Sequence, residues 1–273
     1  MSIYMCRAIR VRETMPGDAA TLKVDSGIAT ITIARPERMN CLDGETASAL
    51  LAALKDAGRQ SAKVVVVTGS GKAFCSGGDV KAMHAAEMPE RFLMELVKPI
   101  HEVVLEIRRA PQVVIAAVNG VATGAGCSLM LACDLKVLSD EASLSMWFPG
   151  IGLAPGCGTW MLAEHVGKSR AAEMLLAGRR LGAREALDWG IANWVVPADE
   201  LLPFAHGKAA ELSQNALVAV GRAKALLNAA NERTLDEQLA LERHFISISG
   251  LTSDFREGTG AFVEKRKPKF RGK

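Results

Sequence analysis

A glycine-rich turn in the first third of the chain has the residue types of a backbone donor site. Four consecutive valines, residues 64–67, predict a strand buried on both faces, and the small residues Cys75-Ser76-Gly77-Gly78 follow it closely. Asp79 is suited to cap a helix that begins near Val80. Because the first N–H groups of a helix have no partner inside it, the amide of Gly78 is a candidate hydrogen-bond donor to a ligand oxygen.

A second stretch repeats this arrangement of strand, small residues and helix. Residues 113–118 are apolar, the segment 119–128 contains Gly124-Ala125-Gly126, and residues 129–133 are apolar again. Where such strands are neighbours, the amides of both turns converge, and two converging amides form an oxyanion hole for an enolate or a tetrahedral oxygen. Neither turn has the Gly-Lys-Ser/Thr end of a P-loop or the glycine pattern of a dinucleotide-binding turn.

Length, charge and cysteine usage exclude several classes of function. With 273 residues, 49% of them hydrophobic, the chain is long enough to bury one large core. Its 33 basic and 30 acidic residues leave a net charge of +3, which argues against nucleic acid as a partner. The six cysteines form no Cys-x-x-Cys pair, so we expect free thiols in a reducing, cytoplasmic compartment and no metal site. Residues 1–20 lack the apolar core of a signal peptide, and no apolar run is long enough to span a membrane.

The two turns must be positioned by a core in which strands and helices alternate. Hydrophobic spacing and turn residues predict strands at 21–24, 28–34, 64–67, 113–118, 134–138 and 194–196. The segment 143–158 is rich in proline and glycine and predicts an irregular loop. From residue 199 onward the pattern predicts only helices, at 200–212, 217–230, 235–248 and 253–265. We therefore divide the chain into an N-terminal extension (1–20), an α/β core (21–197) and a helical region (198–273).

Several motifs, taken in order, make the chain resemble the crotonase, or enoyl-CoA hydratase/isomerase, superfamily from about Thr21 to Lys273. Each motif is weak alone, but together and in sequence they are specific. They are Arg35-Pro36-x-x-x-Asn40, Ala73-Phe74-x-x-Gly77-x-Asp79-Val80, Ala116-Ala117-Val118-Asn119-Gly120, Gly124-Ala125-Gly126, Ala132-Cys133-Asp134, Ile151-Gly152-Leu153-x-Pro155, and Glu257-Gly258-x-x-Ala261-Phe262-x-Glu264-Lys265-Arg266-x-Pro268-x-Phe270.

The resemblance implies a spiral of strand-strand-helix units with a C-terminal helical region that builds a homotrimer or a dimer of trimers. It also implies an acyl-CoA thioester as ligand, no further cofactor, and an oxyanion hole formed by the amides of Gly78 and Ala125. The acyl pocket is expected to be apolar and narrow because of Met146, Trp147 and Phe148. The other residues that the resemblance places against the substrate, beginning at the CoA end, are Arg38, Met39, Ala73, Phe74, Asp79, Val80 and Ser128, with Phe262 and Lys265 reaching CoA from the last helix.

The chain departs from the superfamily where its hydratases carry two catalytic glutamates. Ser128 stands at one of these positions and Trp147-Phe148 at the other, and Gly156 follows Pro155 where some isomerases have an aspartate. No Asp or Glu occurs in residues 112–133 or 142–163, so no shift of the alignment restores a carboxylate. Since one proton-transfer group typically contributes ~10²–10⁴-fold to a rate, we do not expect ordinary hydratase activity.

Four other side chains are candidates for the missing proton-transfer group. His101 lies on a long helix predicted to run to about Arg109, before the second turn, although a helix often carries a surface histidine. His84, Cys127 and Cys157 are weaker candidates, because a surface histidine or a buried packing cysteine is the more common explanation of each. The first hypothesis is an enzyme that acts on an acyl-CoA through an enolate with a non-standard catalytic group, with an acyl-CoA decarboxylase or hydrolase as alternatives. The second is an acyl-CoA-binding protein without turnover. The predicted oxyanion hole favours the first, and the absent carboxylates favour the second.

Overall fold

The computed structural model describes residues 19–272, so the predicted extension lies outside the described residues except for its last two positions. The described residues form ten strands: β1 (Ala20–Asp25), β2 (Ile28–Ile33), β3 (Val64–Gly69), β4 (Ala73–Cys75), β5 (Val113–Val118), β6 (Val121–Thr123), β7 (Leu135–Ser139), β8 (Ser143–Ser145), β9 (Leu181–Gly182) and β10 (Trp194–Val196).

Ten α-helices accompany these strands within residues 19–272. They are α1 (Gly44–Arg59), α2 (Val80–Ala85), α3 (Pro89–Arg109), α4 (Ala125–Ala132), α5 (Thr159–Leu175), α6 (Ala183–Asp188), α7 (Leu201–Leu212), α8 (Leu217–Ala229), α9 (Leu235–Ser249) and α10 (Ser253–Val263). None of these helices is long and apolar enough to cross a membrane.

The larger sheet has six strands in the order β1-β2-β3-β5-β7-β10 and contains every strand that the sequence predicted. Its hairpin β1–β2 is antiparallel, and the remaining pairs are parallel. All four valines of β3 and all six residues of β5 are buried, as expected for parallel strands covered on both faces. The central position of β3 and β5 explains why the two glycine turns are neighbours: the strands pair in register and end at the same edge.

A second, four-stranded sheet was not predicted, and it forms the floor of the candidate site. Its order is β4-β6-β8-β9, with β4, β6 and β8 parallel and β9 antiparallel to β8. The expectation of an irregular segment over 143–158 was wrong for its first three residues, which form β8. Strands of two or three residues are too short to show an alternating pattern in sequence, which is why hydrophobic periodicity did not reveal this sheet.

Helices cover both faces of the six-stranded sheet. On one face the first helix of the helical region, α7, packs Leu201, Ala205 and Ala209 against a cluster that includes Val64 and Val66 of β3. The opposite face carries the main core, to which α1, α3, α4 and α5 contribute buried side chains. Helix α5 is bent at Gly167, whose φ of 73° lies outside the helical range.

Candidate active site

The two glycine turns contact each other directly. A Cβ atom on Gly126 would lie 2.0 Å from the carbonyl oxygen of Cys75, and one on Gly77 would lie 3.3 Å from the amide nitrogen of Ala125. Gly77 also has a φ of 90°, which a residue with a side chain rarely adopts. The small residues therefore allow the backbone of one turn to approach that of the other, and this contact sets the position of Ala125 relative to Gly78.

Gly78 and Ala125 line one cavity of about 580 Å³, and no described residue accepts a hydrogen bond from either amide. Ala125 is the first residue of α4, so its N–H has no acceptor within the helix. Gly78 precedes Asp79, whose carboxylate caps α2 by accepting from the amides of Lys81 (3.1 Å) and Ala82 (3.2 Å). The arrangement leaves two backbone donors available on the wall of one cavity, which is the composition of an oxyanion hole.

The wall of this cavity is mostly apolar and contains no aspartate or glutamate among the described residues. Its residues are Ser76, Gly77, Gly78, Val80, Met83, Leu93, Met94, Leu96, Val97, Ile100, Thr123, Gly124, Ala125, Ser145, Trp147, Phe148, Gly150, Ile151, Leu153, Ala154, Gly156, Cys157 and Arg180. Its volume lies within the usual range of small-molecule sites. Met146 is fully buried and does not line the cavity, whereas Trp147 and Phe148 do.

Ser128 does not line the cavity, contrary to expectation. Its side chain is fully buried, and its hydroxyl lies 2.9 Å from the carbonyl oxygen of Cys157 and 3.2 Å from that of Gly124. A Cβ atom on Gly158 would lie only 2.3 Å from the Ser128 hydroxyl oxygen. Ser128 therefore holds the segment around Cys157 in place and does not face a ligand.

His101 hydrogen-bonds to a residue of the cavity wall but does not itself line the cavity. Its Nε2 lies 2.6 Å from the carbonyl oxygen of Gly156, and because a carbonyl only accepts, this nitrogen carries the proton and donates it. His101 is not among the residues that line the cavity, which weakens its candidacy as a base. Cys157 does line it, and burial raises the pKa of its thiol although the hydroxyl of Ser128 lowers it, so the thiol is protonated near neutral pH.

The other proton-transfer candidates are also placed away from the cavity. His84 is exposed at the end of α2. Cys127 is fully buried in α4, and burial raises the pKa of its thiol to about 12. The structure thus leaves Cys157 as the only one of the four candidates that lines the cavity within residues 19–272.

A cluster of charges lies beside the Gly78 turn. Arg38 binds the carboxylates of Asp43 (2.8 Å) and Asp79, so the guanidinium joins the segment before α1 to the start of α2. Burial raises the pKa of Asp43, but hydrogen bonds from Thr46 and the charges of nearby arginines outweigh it and lower the pKa overall. Cys41, Asp43 and Asp79 offer ligand atoms within 4.8 Å of one another, but Arg38 already supplies the positive charge that a cation would bring.

The fold brings only one of the remaining residues that the resemblance assigns to substrate binding to the wall of this cavity. Val80 lines the cavity, and Met39 is exposed with a φ of 52°. Ala73 and Phe74 are buried in β4, so their side chains are not accessible and only their backbone remains for a ligand. Phe262 lies near the end of α10, and Lys265 follows that helix. Both are exposed, and neither lines this cavity within one chain.

Arg180 is a lining residue that the sequence analysis missed. It is the only charged side chain on the described wall of the cavity. The sequence places it after Gly178, whose φ of 73° turns the chain, and directly before β9. Arg180 reaches the cavity because β9 pairs with β8, which is a contact between distant segments, and no local sequence pattern predicts such a contact. Gly178 is the one local hint of a turn at this point.

A second cavity of about 460 Å³ lies near the opposite edge of the larger sheet, where β5 and β7 begin. Its buried charges are largely paired. The carboxylate of Asp134 accepts from the ammonium of Lys224 at 2.7 Å. Lys136 lies 2.8 Å from Nε2 of His165, whose Nδ1 donates to a backbone carbonyl at 2.7 Å. These pairs indicate a structural role for the cluster.

Comparisons with known proteins agree with this geometry. The family model described as enoyl-CoA hydratase/isomerase matches residues 23–273. The 1,2-epoxyphenylacetyl-CoA isomerase of Escherichia coli (strain K12) is 36% identical over 261 residues, which cover 92% of this chain and 97% of that protein. A probable enoyl-CoA hydratase of Rhodobacter capsulatus is 38% identical over 253 residues, with 92% and 97% covered.

A solved structure agrees equally well. The crystal structure of an enoyl-CoA hydratase from Polaromonas sp. JS666 superposes with a TM-score of 0.88 at 36% identity, covering 92% of this chain and 99% of that one. The mixed α/β architecture with its parallel strand-helix units is therefore that of the crotonase fold, and the chain belongs to the enoyl-CoA hydratase/isomerase family.

Proposed function

We propose that this chain is an acyl-CoA enzyme that polarises the thioester carbonyl between the amides of Gly78 and Ala125 and works through the enolate left when the α-carbon loses a substituent, such as a carboxylate released as CO2. The observation that carries the proposal is the pair of available backbone amides on the wall of one apolar cavity. Donors placed where negative charge develops stabilise an enolate strongly in a site with little water. The segment with Arg38, Met39 and Asp79, together with the backbone of Ala73 and Phe74, is the proposed binding surface for CoA.

The chemistry that follows enolate formation does not use a carboxylate of the enzyme in this proposal. The described cavity wall has none, and Ser128, at one of the glutamate positions, is buried beneath it. Among the lining residues, Cys157 is the non-standard group best suited to proton transfer, because its protonated thiol can give a proton to an enolate. Reactions that do not require an activated water, such as decarboxylation of an acyl-CoA, fit this wall better than hydration.

A second candidate function is that of an acyl-CoA-binding protein without turnover. The wall without carboxylates favours it, since both groups that move protons in a hydratase are absent. The oxyanion hole does not distinguish the two candidates, because the same amides would also bind a thioester carbonyl that is not turned over.

A panel of acyl-CoA thioesters tests both candidates. We would incubate the protein with short and medium 2-enoyl-CoAs, a malonyl-type CoA and aromatic acyl-CoAs, follow products by mass spectrometry, and measure binding by calorimetry in parallel. The proposal expects turnover of at least one thioester without efficient hydration of the enoyl-CoAs. Hydration at an ordinary enzyme rate would refute the carboxylate-free mechanism, and tight binding without any product would favour the second candidate.

We also propose that the C-terminal helices assemble the chain into a homotrimer or a dimer of trimers. Many large apolar side chains of this region are exposed in a single chain, and contiguous apolar patches usually mark protein interfaces. They are Leu227, Leu235, Leu239, Ile246, Leu251, Phe255, Phe262 and Val263. Sedimentation equilibrium should give three or six times the mass of one chain, and the double variant Phe262→Arg/Val263→Arg should lower it; a monomeric wild-type protein would refute this proposal.

A further inference from the structure

Arg180 lies at the same edge of the four-stranded sheet as the proposed oxyanion hole. The parallel strands β4, β6 and β8 end just before Gly78, Ala125 and Trp147, respectively. Strand β9 is antiparallel to β8, so its beginning, directly after Arg180, lies at that same edge. Extending the β8–β9 register by one residue sets Arg180 opposite Ser145, another residue of the cavity wall.

The order of the strands also gives the direction of a bound ligand. The segment that carries Arg38 joins the Gly78 turn through the hydrogen bond from Leu42 N to Gly77 O, at 2.7 Å, on the β4 side. Arg180 lies on the β9 side, two strand spacings or roughly 10 Å beyond the strand that leads to Ala125. A thioester with its CoA near Arg38 and its carbonyl between Gly78 and Ala125 therefore extends its acyl chain toward Arg180.

The guanidinium of Arg180 has no partner among the described residues, in contrast to its neighbour. Arg179 forms ion pairs with Glu173 and Glu185 outside the cavity, whereas within residues 19–272 no hydrogen bond or ion pair involves Arg180. An apolar acyl chain that covered this guanidinium would remove its water and return no hydrogen bond, which is unfavourable. A ligand carboxylate would instead provide a charge-assisted, bidentate partner.

We propose that the cavity accepts acyl-CoA thioesters whose acyl chain ends in a carboxylate, and that Arg180 binds this carboxylate. The inference rests on the proposed function, since it takes the thioester carbonyl to lie in the oxyanion hole. It names the substrate class that the family assignment leaves open. The described wall contains no Asp or Glu, which also supports the proposal, because no fixed negative charge there repels an anionic acyl group.

The test compares two ligands of equal chain length, adipoyl-CoA and hexanoyl-CoA, in three proteins. The proteins are the wild type, Arg180→Met, and the matched control Arg184→Met, which removes an exposed arginine that does not line the cavity. Dissociation constants are measured by calorimetry at low salt. We expect Arg180→Met to weaken adipoyl-CoA about tenfold relative to hexanoyl-CoA, which is the loss of one charge-assisted pair, and Arg184→Met to leave the ratio unchanged.

The outcomes separate this inference from the function on which it rests. If Arg180→Met leaves the ratio of the two dissociation constants unchanged, the inference is wrong. If it weakens both ligands and free CoA equally, Arg180 contacts the phosphates of CoA, and the inference is again wrong. Failure of the wild type to bind hexanoyl-CoA and adipoyl-CoA alike would instead refute the proposed acyl-CoA function itself.

Discussion

Replacing Ala125 by proline removes one proposed oxyanion donor at a position where the backbone tolerates proline. Ala125 is the first residue of α4, where proline is favoured because its φ matches the helix and the missing N–H has no helical acceptor. The preceding residue is Gly124, whose φ of 53° and ψ of −121° lie outside the α region that proline excludes for its neighbour. The variant is therefore expected to fold, and its main chemical change is the loss of one N–H on the cavity wall.

The expected effect on catalysis is large compared with the effect on folding. Loss of a single oxyanion donor typically lowers kcat by ~10²–10³-fold, or about 2.7–4 kcal/mol of transition-state stabilisation. The matched control is Ala125→Gly, which keeps the amide and removes only the methyl group of a buried residue. We expect that control to lose at most about 1 kcal/mol of stability and to retain most of its activity.

The assay measures kcat on the best thioester of the acyl-CoA panel, together with binding of its thioether analogue, in which a methylene group replaces the carbonyl. Because the thioether offers no oxygen to the hole, Ala125→Pro should bind it as the wild type does while kcat falls. Circular dichroism and thermal unfolding establish that each variant is folded. A folded Ala125→Pro protein with the kcat of the wild type would refute the oxyanion-hole assignment.

Two further predictions concern the buried charges near the start of β7. Burial lowers the pKa of Lys136 from 10.5 to about 8, so between these values the unfolded chain holds more protons at this lysine, and the contribution of Lys136 to stability should rise with pH by up to about 3 kcal/mol. In urea unfolding, the stability of the wild type minus that of Lys136→Met should therefore rise over this range, and a constant difference would contradict the prediction. Lys224→Met leaves Asp134 buried without this cation and should lower the free energy of unfolding by about 3–5 kcal/mol. Lys208→Met, which breaks a pair with the exposed Glu211 and contacts with the rings of Trp194 and Phe204, should cost at most about 2 kcal/mol, and equal losses in the two variants would contradict the assignment of a buried ion pair.

The sequence was sufficient for the larger sheet and for the two turns because their signals are local. A run of buried valines followed by glycines predicts a parallel strand that ends in a turn, and β3 with Gly78 and β5 with the turn before Ala125 follow that pattern. The absence of Asp and Glu from residues 112–133 and 142–163 is also visible in the sequence itself, since the composition of a segment does not depend on its fold. These local signals explain why both predicted oxyanion donors line one cavity.

The sequence was not sufficient where a residue's environment depends on distant segments. Ser128 has a small polar side chain, as expected for a residue that lines a pocket. Its hydroxyl is instead fully buried and lies within hydrogen-bonding distance of two backbone carbonyl oxygens. His101 has the spacing of a surface histidine, yet it binds the carbonyl of Gly156, 55 residues away. Arg180 reaches the cavity only because β9 adds to the edge of a sheet made of very short strands. Each of these placements is a tertiary contact with no local pattern.

The hydrogen bonds made by Ser128 and His101 fix the part of the cavity wall that contains Gly156 and Cys157. Both side chains donate to the segment 156–158, Ser128 to the carbonyl of Cys157 and His101 to that of Gly156. Gly158 packs so closely on Ser128 that a Cβ atom built on this glycine would lie 2.3 Å from the serine hydroxyl oxygen. The longer side chain of a glutamate at position 128 would collide with this segment. Ser128→Glu should therefore disturb the wall instead of restoring a hydratase. Position 128, where the resemblance to the superfamily would place a catalytic acid, is packed and hydrogen-bonded in this chain. This packing supports our proposal that the cavity uses backbone donors, with Arg180 as the one cation on its wall within residues 19–272.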